Sequence, residues 1–393
     1  MTITKHINKS GSGDSITIQG AFDLCLNDGN DYDLIITDLE TYREQAVLAA
    51  RAAGGKVTLR ALNFDRHARP IMTWDGSDGS ILTLNANHLI KGIKFVYDEN
   101  VQGLTFRRCI RSNLAGIESE VSHCQFWMGE RYHFDVPPPT AEFGHVGYWA
   151  EGNTAVIKVW NCLFRGCAYA GIRYRPSAGN VIKIYHNDFV KCEEAIWSEV
   201  LVSGVQSIHD NIFDLDGTHS PDCWKFAAIY INRSATPTQF GGLDYNLYFN
   251  RAVGTRLPPQ STPTVLEAFS SQSVQKATRA ALNASYPTQE VHGLDGDPLF
   301  VQYCKDYHLL ETSPALRAAS TLESVLDDND GATRPSARAI GCFDPTGPLK
   351  SPNLHRDKLQ NATLWYRLTR ETAQPNGAAS ETPSISLEYV RVL

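Results

Sequence analysis

The most regular feature of the chain is an aliphatic residue standing five places before an aromatic one: Val101/Phe106, Val121/Phe126, Val159/Phe164, Ile184/Phe189, Ile208/Phe213 and Leu243/Tyr248. Successive aromatics lie 20, 38, 25, 24 and 35 residues apart. The short intervals fit the repeat of a solenoid; the long ones fit the same coil with an inserted loop. An odd spacing would send the two side chains to opposite faces of a straight strand, so a bend between them is required if both point inward. Other residues keep the register. Cys109, Cys167 and Cys192 follow the aromatic by three. Asn187, Asn211 and Asn246, or Cys124 and Cys162, precede it by two. Ala115-Gly-Ile117, Ala170-Gly-Ile172 and Ala195-Ile-Trp197 come further on. Coils stacked at about 4.8 Å would turn each position into an interior column. The Asn column is assigned to the bend, since Asn tolerates left-handed backbone.

A solenoid exposes its core at both ends and needs caps. Residues 15–26 predict a short amphipathic helix over the first coil, and Glu40 to Ala53 a second helix ended by Gly54-Gly55. Val57–Arg60, Ile71–Trp74, Ser80–Leu84 and Ile90–Phe95 predict early strands, and Thr264 to Ala284 a helix after a Pro-rich loop. This divides the chain into an N-terminal strand with capping helices (1–56), a parallel β-helix (57–345) with inserted loops at 129–152, 214–242 and 251–296, and a polar extension (346–393). The extension carries two strand-like runs, Thr363–Leu368 and Ile385–Leu393. Apolar strands outside a closed prism need a partner surface, so the extension is expected to dock, with a homotrimer as the expected assembly.

The 393 residues carry a net charge of -7 with no Lys/Arg cluster, which argues against a nucleic-acid face. No apolar run reaches the length of a membrane span. Nine cysteines, an odd number without CxxC or a regular spacing, read as reduced thiols in a protein folded inside a cell. The N-terminus lacks the apolar stretch of a signal peptide.

Toward the C-terminus the sequence runs Asp297-Pro-Leu-Phe-Val301, Asp306-Tyr-His-Leu309, Ser313-Pro-Ala315, Asp328-Asn-Asp-Gly331, Arg334-Pro335 and Ala339-Ile-Gly-Cys-Phe343. This resembles the C-terminal signature of right-handed parallel β-helix proteins of the pectate-lyase-like superfamily, with Cys342-Phe343 in place of the usual Ala-Tyr. The opening Gly11-Ser-Gly-Asp14, Ile18-Gln19 and Ala21 resembles their capping segment. The resemblance implies an all-β fold whose last coils are closed by this signature. It implies little about function, because the architecture serves lyases, hydrolases, adhesins and virion parts.

The motifs of polygalacturonase-like hydrolases and of calcium-dependent lyases are missing. Asp327, Asp328 and Asp330 could supply oxygen ligands to calcium, against the plainer reading of a solvated turn near Gly331. Glycoside chemistry needs two carboxylates about 5 to 9.5 Å apart. Glu118 with Glu120, Glu193 with Glu194, Asp210, and Asp214 with Asp216 are candidates, each more simply a solvated turn residue. The insertions hold aromatic and imidazole groups: Tyr132, His133, Phe134, Phe143, His145, Tyr148 and Trp149 in one, His219, Asp222, Cys223 and Trp224 in the other. They could stack on sugars or pack onto the prism. His133, His145 and His219 lack metal-ligand spacing. No catalytic, cofactor or metal residue is therefore assigned.

The leading expectation is a non-enzymatic component of a bacteriophage virion, a head decoration or tail-associated spike. Such a part would fold in the host cytoplasm and bind other virion proteins through its termini. The alternative is a polysaccharide lyase or glycoside hydrolase acting on surface glycans, which would require a groove with close carboxylates and exposed aromatics.

Overall fold

The structure is a computed structural model. It describes residues 1–344 except 65–67, 75–78, 98–106, 129–144, 153, 168, 176, 178, 193, 200–204, 216–226, 232–241, 251–263, 269–273, 304–305, 324 and 336–337. Residues 346–393 form a separate unit outside the described residues.

Residues 1–345 are a parallel β-helix. Three nine-stranded sheets run its length, and each takes one short strand from every coil. The first sheet starts with Thr2–Ile7, Asp31–Ile36 and Val57–Ala61 and ends with Gly242–Asp244. The second runs from Thr41–Arg43 to Leu294–Asp295, and the third from Ala46–Leu48 to Thr264–Ala268 with an antiparallel last strand, Val274–Lys276. All other pairings within these sheets are parallel and in register.

The expected aromatic file exists. Phe126, Phe164, Phe189, Phe213 and Tyr248 pair coil on coil, with ring centroids 4.5 to 5.2 Å apart. Val121, Val159, Ile184, Ile208 and Leu243 form a second column, none more than 1% exposed. Below Phe126 the slot is held by Phe95, five residues after Ile90, at 5.2 Å. Phe106, to which the sequence reading gave that slot, lies outside the described residues.

Several expectations are corrected. Glu40 to Ala53 is not a helix: it contains the strands Thr41–Arg43 and Ala46–Leu48. Its alanines suggested helix, but Ala46 and Leu48 are buried while Val47 between them is 47% exposed, the two-residue alternation of a strand. Within Thr264 to Ala284 the described residues are strand at Thr264–Ala268 and Val274–Lys276 and helical from Arg279 (Arg279–Ser285). The first helix is as expected but shorter, Ile18–Asp23, capped by the Thr17 hydroxyl accepting from Gly20 N. Ala170 pairs with Glu194 rather than Ala195, so the small-residue columns are shifted by one. The three inserted stretches also each carry a strand of the third sheet (His145–Ala150, Ala227–Ile231, Thr264–Ala268), so they are parts of coils rather than additions to them.

The signature after Asp297 does not add coils. It folds back along the outer face of the second sheet, where Phe300, Tyr307, Leu309, Ala339, Ile340 and Phe343 cover Leu163, Val190, Ile212 and Leu247. This strap is the reason Leu163, Val190, Ile212 and Leu247 are buried although they point away from the core.

Candidate functional site

Two regions concentrate polar chemistry. One is the corner joining the first sheet to the second. From the third coil on, this corner is always two residues: Gly92-Ile93, His123-Cys124, Asn161-Cys162, His186-Asn187, Asp210-Asn211 and Tyr245-Asn246. The first of each pair has positive φ, from 50° to 75°. The left-handed residue is thus the one before the Asn, and the expectation that the Asn themselves make the bend is corrected. The second residue points inward. Asn187 Nδ2 donates to Asn211 Oδ1, and Asn211 Nδ2 to Asn246 Oδ1, each at 3.0 Å. Each amide also donates to a carbonyl of the coil below: Val159, Ile184 and Ile208. Glu290 ends the ladder, accepting from Asn246 Nδ2 at 2.7 Å and Tyr248 Oη at 2.5 Å. Burial pushes its carboxyl up to about 7.

Where the ladder holds Cys instead of Asn, the thiols use the same carbonyl slots. Cys124 Sγ donates to Ile90 O, and Cys162 Sγ to Val121 O and Trp160 O.

The outward side of this corner is sealed by the strap. Asn329 Nδ2 donates to Cys124 O and Asn161 O. Arg334 donates to Asp344 Oδ2, Asn161 Oδ1 and Gly341 O at 2.9 to 3.0 Å. Ser320 donates through its amide and hydroxyl to Asp210, which also meets His209 Nδ1 at 2.6 Å. Cys342 N donates to Asp188 Oδ1, and burial pushes the Asp188 carboxyl up to about 7. Gly341, at φ +95°, lies so near Asp188 that a Cβ would fall 2.3 Å from Oδ1, so only glycine fits.

This arrangement settles several candidates. Asp328 Oδ1 accepts from Asp330 N and Ala332 N, Asp330 pairs with Arg69 and His308, and Asp327 with His123. The turn is solvated on one side only: Gly331 is exposed and Asp327 partly so, while Asp328 and Asn329 are fully buried and Asp328 Oδ1 is met by backbone donors. Asp210 is a strap anchor. Glu120 lies between Lys56 and Lys158 at 2.9 and 3.0 Å. Glu118 is exposed and Asp214 fully buried; Glu193 and Asp216 lie outside the described residues. A Ser–His contact, Ser119 Oγ to His88 Nε2 at 2.6 Å, is sealed inside the prism with Tyr148 and Ser112, and burial lowers His88 to about 4. His145 is buried against the Tyr97 ring and lowered to about 3 by burial. His133 and His219 lie outside the described residues, and among the described residues no group of three or more His, Cys, Asp or Glu is placed to hold a metal.

The second region is the outer face of the third sheet. Arg111, Trp149, Arg173, Trp197 and Tyr230 pair in one outward column on five successive strands. Arg173 Cζ lies 4.5 Å from the Trp149 ring and 4.7 Å from Trp197, and Arg108 covers the other side of Trp149 at 4.3 Å. Trp197 also meets Tyr169 at 4.5 Å and Tyr230 edge-on at 4.8 Å. Carboxylates flank the file. Glu199 takes Arg173 Nε and Nη2 at 2.9 and 2.8 Å, Glu151 binds Arg111, and Glu194 pairs between Ala170 and Ala227. The aromatics are therefore not open platforms: guanidinium groups and other rings pack against them, and the Trp149 and Trp197 indole N–H groups are themselves buried, so the exposed polar groups here are the flanking ion pairs Arg111–Glu151 and Arg175–Glu199. Trp197 is 8% exposed and its indole N–H has no hydrogen-bond partner among the described residues.

This face was legible only in part. Trp149 and Trp197 stood out, but Arg173 carried no motif, and its role appears only when consecutive strands are aligned.

No protein-family profile and no curated protein matches the sequence. Among solved structures, two crystal structures of the pectin methylesterase from Aspergillus niger, in penultimately deglycosylated and deglycosylated form, align over 67% of this chain and 84% of that chain. They do so at 11% and 12% identity, with TM-scores of 0.28 and 0.26. The architecture described above rests on this chain's own strand ladders.

Proposed function

We propose that this chain is a carbohydrate-recognising β-helix that holds an extended polysaccharide along the outer face of its third sheet. The supporting observation is the coincidence of two patterns on that face. The Arg–Trp file repeats a large cationic or aromatic side chain once per coil beside partly exposed ion pairs, and four long stretches of sequence between strands (128–144, 216–226, 232–241, 251–263) each precede or follow, along the sequence, a strand of the third sheet. Coils about 4.8 Å apart repeat such a group at roughly the interval of successive sugars in an extended chain. Binding groups collect where loops meet a rigid scaffold. Recognition on this reading works through the ion pairs beside the file, Arg111–Glu151 and Arg175–Glu199, rather than through rings stacked on sugar faces.

The test is a panel of neutral and acidic polysaccharides screened by affinity electrophoresis, with released reducing ends and unsaturated products measured in parallel. Binding is expected for at least one polymer and is expected to weaken about tenfold in Arg111→Met, which removes a partly exposed donor and keeps the aliphatic stem. Turnover would extend the reading to a depolymerase. Retention of full affinity by Arg111→Met together with Arg175→Met would move the binding face elsewhere. The alternative, a rigid virion component attached through its termini, draws on residues 346–393, which lie outside the described residues, and gains nothing specific from the prism.

A further inference from the structure

Cys124 and Cys162 occupy one slot in successive coils. Ser122 with Trp160 and Gln125 with Leu163 pair on either side of them, and Leu163 N donates to Cys124 O at 3.0 Å. Cys167 and Cys192 stand in the same relation at the next corner, two residues beyond the paired Arg165 and Val190. All four are free thiols and at most 2% exposed. The coil spacing of about 4.8 Å falls within the Cα separation that a disulfide spans, about 4.4 to 6.8 Å. The other described cysteines face different groups. Cys109 Sγ donates to Met128 Sδ, Cys342 to Asp188, and Cys25 to Ala21 O.

We propose that Cys124/Cys162 and Cys167/Cys192 are two latent inter-coil disulfides, closed by exchange with a low-molecular-weight disulfide such as oxidised glutathione. In each, one cysteine thiolate attacks the small disulfide, forms a mixed disulfide and expels one small thiolate. The second cysteine thiolate then displaces the other. Two protein thiols become one S–S bond, the small disulfide is reduced to two thiols, and the two protons pass to the leaving sulfurs. Burial raises the Cys162 and Cys167 thiols, and all four side chains are sealed inside the closed prism, out of reach of a small disulfide. Closure therefore belongs to folding, or to moments when neighbouring coils part. A bond between stacked coils also draws the two Cβ atoms together by about 1 Å relative to the coil spacing. That strain places these bonds in the easily reduced class, which makes them reversible staples rather than permanent ones.

The full chain, unfolded in urea with reductant, is refolded in a mixture of reduced and oxidised glutathione. It is then blocked with an alkylating reagent, digested and mapped by mass spectrometry. The expected result is two linked peptides, Cys124–Cys162 and Cys167–Cys192, each lighter by two hydrogens. The melting midpoint should rise by several degrees, and the rise should vanish with dithiothreitol. Cys162→Ser should remove only the first link and Cys192→Ser only the second. Should refolding fail, native protein in urea below its unfolding transition receives the same glutathione mixture and digest. Recovery of all four cysteines as alkylated thiols, or links joining them to other cysteines, would overturn the proposal.

Discussion

The corner between the first and second sheets and the outer face of the third are built from the same kinds of side chain, yet they use them in opposite ways. At the corner, His123, Asp188 and Asp210 are buried under the strap and bonded to Asn161, Cys342 N and Ser320 in turn, with Arg334 and Asn329 closing the carbonyls around them. The connection there is two residues in every coil from the third onward. On the third sheet the stretches between strands vary in length, and the ion pairs flanking the file are partly exposed. A polar group paired on all sides specifies one structure; a donor at a rim is free to meet a ligand. The contrast assigns folding to the first region and recognition to the second, and substitutions in the two regions should separate those roles.

The largest effect should follow Arg334→Ala. The guanidinium is buried, and its loss leaves Asp344, Asn161 Oδ1 and Gly341 O without their donor. Removing one member of a buried pair costs roughly 3–5 kcal/mol. Urea denaturation should show that loss, while Trp197→Phe should stay within about 1.5 kcal/mol of wild type. Equal destabilisation by the two would erase the distinction between the regions.

Which parts of this were readable in sequence follows from the same contrast. The Val/Phe spacing survived because interior columns demand like residues at like positions, so Phe126, Phe164, Phe189 and Phe213 announce their register. The first coils were harder. In Glu40 to Ala53 alanine's helix preference outweighed a two-residue alternation spread over strands of only three residues, and tertiary pairing with Ile71–Trp74 and Gly79–Leu84 decides the outcome. The strap was recognisable as a motif, but its path was not. Nothing local in Asp328-Asn-Asp-Gly331 says that it lies beside Arg69, some 260 residues earlier. The third-sheet file was hidden for the complementary reason: Arg111, Trp149, Arg173, Trp197 and Tyr230 mix arginine and aromatic rather than repeating one type, and variable segments break their spacing.

Smaller, and specific to the ladder, is a pH effect at Glu290. Its carboxyl is raised from 4.5 to about 7 by burial, so the folded chain holds a proton that the unfolded chain releases. Stability therefore falls as pH rises from about 4.5 to 7, by about 3 kcal/mol from this group. Asp188, raised to about 7, acts in the same direction. His123 and His186, lowered by burial to about 4 and about 3, act in the other, because their stabilisation is complete above 6.5 and is lost as pH falls through those values. Thermal melts across pH 5 to 8 should show a steeper decline on the alkaline side in wild type than in Glu290→Gln, which keeps a neutral acceptor for Asn246 and Tyr248. Identical slopes would remove Glu290 as a protonated end-cap.

The smallest effect tests whether the corner is a single device along its length. Cys162 Sγ donates to Val121 O and Trp160 O, the slots that in the next coil receive Asn187 Nδ2 through Val159 O and Tyr185 O. Cys162→Asn should thus place an amide where carbonyls already wait, and its Oδ1 would face Cys124. The gain of stronger donors and the cost of the larger amide are of similar size, so the change in stability should stay within about 1 kcal/mol. Cys109→Asn meets Met128 Sδ where Cys162 meets carbonyls and should cost about 2 kcal/mol or more, because a buried amide is left unmet. If the two substitutions behave alike, the first corner is not a template that accepts either thiol or amide. Thiols and asparagines would then share the column only by size.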